Sequence, residues 1–199
     1  MHVDITTLDA LKELFNIGVG RSAAILNHML TSHVYLTVPI VHILHFDELK
    51  TEMHSTGLSN VSAVNLGFSG IFSGSALLMF PQEGAVDLVN AITGTDINEL
   101  DIDEIRAGSL CEVGNVVLNA VMGTIANVLK VQFVYSVPYY LEDKIDNLLN
   151  MDLDDKDKRF LVVKTRFNIE ALDIEGDIIL FFKVGSIDNL LEAVSKYSM

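Results

Sequence analysis

The chain repeats its own pattern at a constant offset of 99 residues. The segment 9–39, DALKELFNIGVGRSAAILNHMLTSHVYLTVP, aligns without gaps to 108–138, GSLCEVGNVVLNAVMGTIANVLKVQFVYSVP. Four residue types coincide in this alignment: a leucine (Leu11 and Leu110), a glutamate (Glu13 and Glu112), an asparagine (Asn16 and Asn115) and a proline (Pro39 and Pro138). Self-similarity at a fixed period predicts that both halves fold into the same supersecondary unit.

The correspondence continues toward the C-terminus. VNLGF (64–68) matches VKTRF (163–167) at the same offset, and GSALLMFPQEGAVDLVNAI (74–92) matches GDIILFFKVGSIDNLLEAV (176–194) after a three-residue insertion. We therefore predict a single domain over residues 1–199, built of two repeats at about 1–99 and 100–199. The predicted fold class is α/β of the α+β type, a pseudo-twofold tandem duplication. One continuous, mainly antiparallel sheet would carry two long helices on one face.

Local patterns predict the individual elements. Apolar residues at three- and four-residue spacing predict helices near 7–31, 83–93, 102–130, 142–149 and 186–197. Stretches rich in β-forming residues predict extended segments over 33–46, 61–68, 74–81, 131–138, 159–168 and 176–184. We interpret EDKIDNLLNMDLDDKDK (142–158) as a short amphipathic helix and a solvated acidic loop that break the symmetry of the repeats.

GVGRSA (18–23) spells G-x-G-x-x-A, a form of the dinucleotide-binding fingerprint. That turn requires a strand before it and a helix after it, whereas the preceding TTLDALKELF already has helical spacing. Gly18 and Gly20 therefore fall inside a helix, where each costs about 1 kcal/mol relative to alanine. We expect them to permit close approach of another helix, and a nucleotide-dependent enzyme is the weakest of our three hypotheses.

Charge and composition restrict the partners and the location. The formal net charge of −14 repels nucleic-acid phosphates. The longest apolar runs, ALLMF and IILFF, are far shorter than the roughly 18 residues that a membrane span needs, and the N-terminal sequence lacks the apolar core of a signal peptide. The single cysteine, Cys111, excludes an internal disulfide. We expect a cytoplasmic protein with no nucleic-acid partner and no membrane insertion.

Each long predicted helix carries its glutamate three residues before its asparagine, so the two side chains share one helical face. On the same faces, one turn before the glutamate and one turn after the asparagine, lie Asp9 and Gly20 in the first helix and Gly108 and Asn119 in the second. A solvated helix face is the simpler explanation, but such a face needs only polarity. Both repeats instead retain a carboxylate and a carboxamide. An asparagine amide donates and accepts hydrogen bonds and can orient a water molecule, and a glutamate can pair with a cation of a partner.

The doubled motif, DALKELFN…VP and GSLCEVGN…VP, resembles the D/S-x3-E-x2-N-x22-P signature of the CheC/CheX/FliY family of chemotaxis phosphatases. The resemblance covers essentially the whole chain, whose length is similar to that of CheC-like proteins rather than the longer FliY. It implies a hydrolase of two-component signalling that accelerates hydrolysis of the aspartyl-phosphate of a CheY-type response regulator. It also implies two catalytic pairs, Glu13 with Asn16 and Glu112 with Asn115. The asparagine would position the attacking water, and the glutamate would pair with a regulator lysine.

Further residues and partners follow from the same resemblance. It implies substrate-docking roles for Asp9, Ser109, Gly20 and Asn119. No metal or cofactor is expected in this chain, because the Mg²⁺ of the reaction would be bound by the regulator. A CheD-type receptor deamidase is a second implied partner, and pairing with a second copy of the chain stays open.

The chain departs from the family pattern at two positions. The second repeat has Gly108 at the opening motif position, with Ser109 one place late. The first repeat has Phe15 where glycine usually precedes the asparagine, as Gly114 does in the second repeat. Phe15 either packs inward and leaves Asn16 free, or it obstructs docking. The alternative function is therefore a non-catalytic module that binds a phosphorylated regulator or a CheD-type deamidase.

Overall fold

A computed structural model describes residues 5–30, 32–54, 60–94, 102–152, 159–182 and 184–197. Within these ranges the helices are α1 (Ile5–Leu30), α2 (Phe46–His54), α3 (Gln82–Thr93), α4 (Ile102–Leu129), α5 (Ile145–Asp152) and α6 (Val184–Tyr197). The strands are β1 (Val34–Leu36), β2 (Ile40–His45), β3 (Asn60–Gly70), β4 (Gly74–Pro81), β5 (Phe133–Tyr135), β6 (Tyr139–Lys144), β7 (Arg159–Ile169) and β8 (Ile174–Phe182). A 3₁₀ turn, Glu170–Leu172, joins β7 to β8.

The described strands form one antiparallel sheet, as the sequence predicts. β4 pairs with β8 at the centre of the sheet, and Leu77 of β4 lies opposite Ile179 of β8. β3 lies outside β4, and β7 lies outside β8. At the two edges the halves exchange strands, because β5 and β6 pair with β3 while β1 and β2 pair with β7.

The strand registers of the two halves correspond. Phe68 lies opposite Gly74 in the β3–β4 pair, and Phe167 lies opposite Gly176 in the β7–β8 pair. These positions match under the sequence alignment, in which three additional residues fall between β7 and β8. The predicted boundary near residue 99 lies outside the described residues, so the division into two repeats stays a prediction.

Two apolar layers cover the two faces of the sheet. Alternate residues of each strand point to opposite faces. In β4, Ala76 and Leu78 belong to the larger layer, beneath the four helices α1, α3, α4 and α6, while Leu77 and Met79 belong to the smaller layer beneath α2 and α5. The prediction of two long helices on one face is therefore confirmed.

The prediction for the short helices is wrong in two respects. Helix α2 was not predicted, and α5 begins at Ile145 rather than at residue 142. Residues 142–144 instead continue β6, where Glu142 lies opposite Ser62 of β3. Strand pairing with a distant segment overrides the local helical spacing here. Helix α2 begins at Phe46 and α5 begins at Ile145, 99 residues later, so these helices do not break the symmetry of the repeats. The predicted acidic loop at 153–158 lies outside the described residues.

One described helix, Glu104–Leu129, is long and apolar enough by length and composition to cross a bilayer. The lengths of the uninterrupted apolar runs do not indicate it, because glycine, alanine and asparagine separate the larger apolar residues of this helix. The core helix of a soluble protein passes the same test. Leu110, Val113 and Val117 are 0% exposed, so we assign α4 to the core.

Two glycines allow close packing, one of α1 against α4 and the other of α4 against the sheet. A Cβ atom at Gly18 would lie 3.2 Å from the Val121 carbonyl oxygen, so α1 meets the backbone of α4 at this point. A Cβ atom at Gly114 would lie 2.4 Å from Val64 Cγ1 and 2.6 Å from Val64 Cβ, so α4 meets the sheet there. The predicted close approach is confirmed for Gly18, whereas Gly20 has nothing within 4 Å.

The contact at Gly114 predicts opposite effects of two alanine substitutions in the same helix. Gly114→Ala forces α4 away from Val64, and overpacking of this kind costs about 1–3 kcal/mol. Gly123→Ala, where nothing lies within 4 Å, gains helix propensity and stabilises the fold by up to about 1 kcal/mol. Urea unfolding of both variants measures the difference. Equal stability of the two variants would contradict the packing described for Gly114.

Candidate functional site

Helix α1 exposes one continuous stripe to solvent. Asp9, Glu13, Asn16, Gly20 and Ala24 are all exposed, and their spacing of three or four residues puts them on one face. The opposite face is buried. The sequence-predicted pair Glu13 and Asn16 therefore stands on the outside of the fold, in neighbouring turns, where a partner can reach both side chains.

Helix α4 presents the equivalent stripe. Gly108 and Glu112 are exposed, whereas Asn115 and Asn119 are half-buried. The Nδ2 group of Asn119 donates a hydrogen bond of 2.6 Å to Oδ1 of Asn115. The structure thus brings together Glu112, Asn115 and Asn119, and it places this set on a different helix from Glu13 and Asn16. We call the two sets the first centre (Glu13 and Asn16) and the second centre (Glu112 and Asn115).

No described residue supplies a cation to the carboxylate of either centre. Within the part of the chain that the structure describes, neither Glu13 nor Glu112 takes part in an ion pair or a hydrogen bond. Asn16 likewise has no side-chain hydrogen bond to a described residue. Exposed carboxylates in a chain of net charge −14 create a negative potential that attracts a cationic group of a partner.

The structure decides between the two roles considered for Phe15. Its side chain is 0% exposed and packs against Phe182, with ring centroids 5.9 Å apart. Phe15 therefore points into the core and leaves the exposed Asn16 unobstructed. Gly114 of the second repeat and Phe15 of the first both face the sheet, so each leaves the asparagine that follows it unobstructed.

The remaining predicted docking residues are found on or beside the same faces. Asp9 is exposed and lies 3.9 Å from the Lys12 ammonium group, measured from its Oδ1. Ser109 is half-buried, and Gly108 has open space around it. Nothing in the described structure tests their role in docking, which stays a prediction.

A polar network fixes the first turns of α4 onto the sheet. Arg106 Nη2 lies 3.2 Å from Oε1 of Glu142 in β6, and Gln82 Nε2 donates a hydrogen bond of 2.9 Å to the other carboxylate oxygen. The Tyr140 hydroxyl donates to Glu142 and contacts the Ser62 hydroxyl at 3.0 Å. Burial, followed by the hydrogen bond to Glu142, raises the pKa of Tyr140. The phenol therefore stays protonated. The contact between Arg106 and Glu142 attaches the first turns of α4, the helix that carries the second centre, to β6.

Cys111 directly precedes Glu112 in α4, in surroundings that raise the pKa of its thiol and so disfavour the nucleophilic thiolate. Burial raises the pKa of its thiol, a hydrogen bond to the backbone of Tyr140 lowers it in part, and the Glu112 carboxylate adds a smaller raising effect. The thiol is therefore protonated at neutral pH, and its Sγ lies 3.9 Å from the Pro138 carbonyl oxygen. Among the described residues, no group of three or more His, Cys, Asp or Glu side chains could hold a metal ion.

Four exposed apolar residues at equivalent positions of the two repeats were not predicted as part of the site. Ile17 and Val116 directly follow the two asparagines, and Val38 and Val137 directly precede the two prolines. Val38 is 70% exposed and Val137 is 84% exposed. The contact between Cys111 and Pro138 brings the β5–β6 connection beside the second centre. The signal was available, since each pair occupies equivalent positions of the repeat, but exposure cannot be read from a β-rich segment alone.

Comparison with known proteins gives likenesses in sequence and in structure. No protein-family model matches the chain. The chain is 27% identical over 164 residues to the CheY-P phosphatase CheC of Bacillus subtilis (strain 168), which covers 79% of this chain and 78% of CheC. Thermotoga maritima FliY has a TM-score of 0.78 at 18% identity, covering 99% of this chain and 100% of that chain. The CheX-CheY-BeF3-Mg2+ complex from Borrelia burgdorferi has a TM-score of 0.54 at 17% identity, covering 91% of this chain and 99% of that chain.

These likenesses agree with the doubled motif. A relative in sequence is a CheC protein, and the solved structures with the same fold include a FliY and a CheX protein. The fold likeness extends over nearly the whole chain, including both long helices. The resemblance predicted from the two Glu-x-x-Asn helices is therefore confirmed: the chain is similar in sequence to a CheC protein and shares the fold of FliY and CheX proteins.

Proposed function

We propose that this protein is a phosphatase that accelerates hydrolysis of the aspartyl-phosphate of a CheY-type response regulator. The observation that carries the proposal is an exposed glutamate, with no partner among the described residues, one turn before an asparagine on each of two helices. Support comes from the sequence likeness to CheC, whose name describes it as a CheY-P phosphatase. Further support comes from a solved complex in which a protein of the same fold is bound to CheY.

The chemistry of the two centres suits a shared active site. Hydrolysis of the acyl phosphate forms a bond from a water oxygen to phosphorus, breaks the bond from phosphorus to the aspartate oxygen, and leaves a carboxylate and inorganic phosphate. The regulator supplies the phosphoaspartate and its Mg²⁺. Asn16 or Asn115 accepts a hydrogen bond from the water and holds it in line with the phosphorus. Such positioning lowers the barrier without a general base in this chain.

Docking is assigned to the glutamates and to the apolar residues beside them. Glu13 or Glu112 pairs with a lysine of the regulator, which places the asparagine over the phosphoryl group. Ile17, Val38, Val116 and Val137 offer apolar surface at the rim of this contact. Desolvation by that surface strengthens the hydrogen bonds of the bound water.

Removal of both asparagines tests the catalytic assignment. In the double variant Asn16→Ala, Asn115→Ala the water is no longer positioned, and misplacement of a reacting group costs about 100-fold in rate. We expect phospho-regulator to decay at its own spontaneous rate in the presence of this variant. The measurement is the decay of ³²P-labelled regulator, with the single variants run in parallel to give the share of each centre. Undiminished acceleration by the double variant would refute the role of asparagine.

Removal of both glutamate charges tests docking separately from chemistry. The double variant Glu13→Gln, Glu112→Gln loses an ion pair worth about 1 kcal/mol at an exposed contact. We expect the KM for phospho-regulator to rise about fivefold, with kcat nearly unchanged and with a weaker dependence of KM on salt. The matched control is Asp87→Asn, Asp188→Asn, which removes two exposed charges from α3 and α6. An equal rise in KM for the control would attribute the effect to net charge instead of to docking.

A non-catalytic binding module is the second candidate. The absence of a described hydrogen bond to the Asn16 side chain favours it for the first centre, since nothing in the described structure holds that amide in place. Stoichiometric capture of phospho-regulator with an unchanged phosphate lifetime would support this function. Binding of a CheD-type deamidase, self-association and a cytoplasmic location are further proposals that rest on the family resemblance.

A further inference from the structure

The two centres differ one helical turn after their asparagines. In the second centre Asn119 donates a 2.6 Å hydrogen bond to Oδ1 of Asn115. The equivalent residue of the first centre is Gly20, which is exposed, has no side chain to donate a hydrogen bond, and has open space where a Cβ atom would lie. The first centre therefore presents its asparagine without the support that the second centre provides.

The hydrogen bond restricts what the Asn115 amide can do. An asparagine side chain has two N–H donors and an oxygen with two acceptor sites. With one acceptor site occupied by Asn119, the amide plane is fixed, and the second acceptor site and both N–H groups stay available for water and phosphoryl oxygens. A fixed amide does not have to lose its rotational freedom in the transition state, which is the general benefit of preorganisation.

We propose that Asn119 is a positioning residue of the second centre, and that its replacement by glycine in the first centre makes the two centres catalytically unequal. This inference rests on the phosphatase function proposed above. It departs from the family-based expectation that Asn119 contacts the regulator, because Asn119 acts here through Asn115. The cost of ordering one side chain corresponds to about a 3- to 10-fold difference in kcat between a supported and an unsupported asparagine.

The second centre is tested alone in an Asn16→Ala background. There we expect Asn119→Ala to lower kcat about 3- to 10-fold while the KM for phospho-regulator stays unchanged. The control is Asn127→Ala, an exposed asparagine near the end of the same helix, which leaves both constants unchanged. A rise in KM at constant kcat would instead make Asn119 a docking residue, and no change in either constant would overturn the proposal.

The first centre allows the reverse experiment in an Asn115→Ala background. Gly20→Asn places an amide at the equivalent position, where a Cβ atom meets nothing within 4 Å. Gly20→Ala supplies a Cβ atom and at least as large a gain in helix propensity without the amide. We expect kcat with asparagine to exceed kcat with alanine by about 3- to 10-fold. Equal rates for the two variants would contradict the transfer of the positioning role.

A measurement independent of activity separates this inference from the function on which it rests. The ¹⁵N relaxation of the side-chain amides should show a more rigid Nδ2 group for Asn115 than for Asn16, and Asn119→Ala should remove the difference. If the wild-type protein does not accelerate phosphate loss, the phosphatase function is wrong. In that case equal mobility of the two amides would overturn the positioning role of Asn119 as well. A rigid Asn115 amide would instead show that Asn119 positions it for binding and not for hydrolysis.

Discussion

The antiparallel pairing of β4 with β8 is the contact on which the rest of the structure depends. It joins the two halves through strands that are buried on both faces, with Leu77 opposite Ile179. Each half adds a strand outside this pair and a long helix above it. Because the registers on the two sides correspond, the sheet determines which face of α1 and which face of α4 is buried.

This arrangement separates stability from recognition. The inner faces of the long helices consist of leucine, valine and phenylalanine side chains that are close to fully buried. The outer faces add little to the core, so a carboxylate and a carboxamide there need another explanation. Two such groups cannot complete a hydrolytic site by themselves, since neither supplies a nucleophile or a metal. The proposed partner provides what is absent, and the exposed valines near the prolines provide surface on which it can pack.

The sequence predicted the features that depend on long periodic segments. The helices α1 and α4, the continuous sheet and the outward position of Glu13, Asn16 and Glu112 follow from spacing within one element. Helix α2 and strand β6 were missed because their form depends on distant partners: Phe46 packs in the smaller apolar layer, and Glu142 lies in a ladder with β3. The inward direction of Phe15 and the bond between Asn119 and Asn115 depend on side-chain placement, which no pattern of letters specifies.

The exchange of edge strands has a consequence for synthesis on the ribosome. β3 is complete by residue 70, yet its outer neighbours β5 and β6 lie at 133–144, beyond the whole of α4. The strand at the equivalent place in the other half is β7. It is synthesised later than β3, and its outer neighbours β1 and β2 are already made by then. The nascent N-terminal half therefore carries an open hydrogen-bonding edge until much of the second half has emerged, and such edges invite pairing with other chains. Pairing of β5 and β6 with β3 closes this edge only after this part of the second half has emerged.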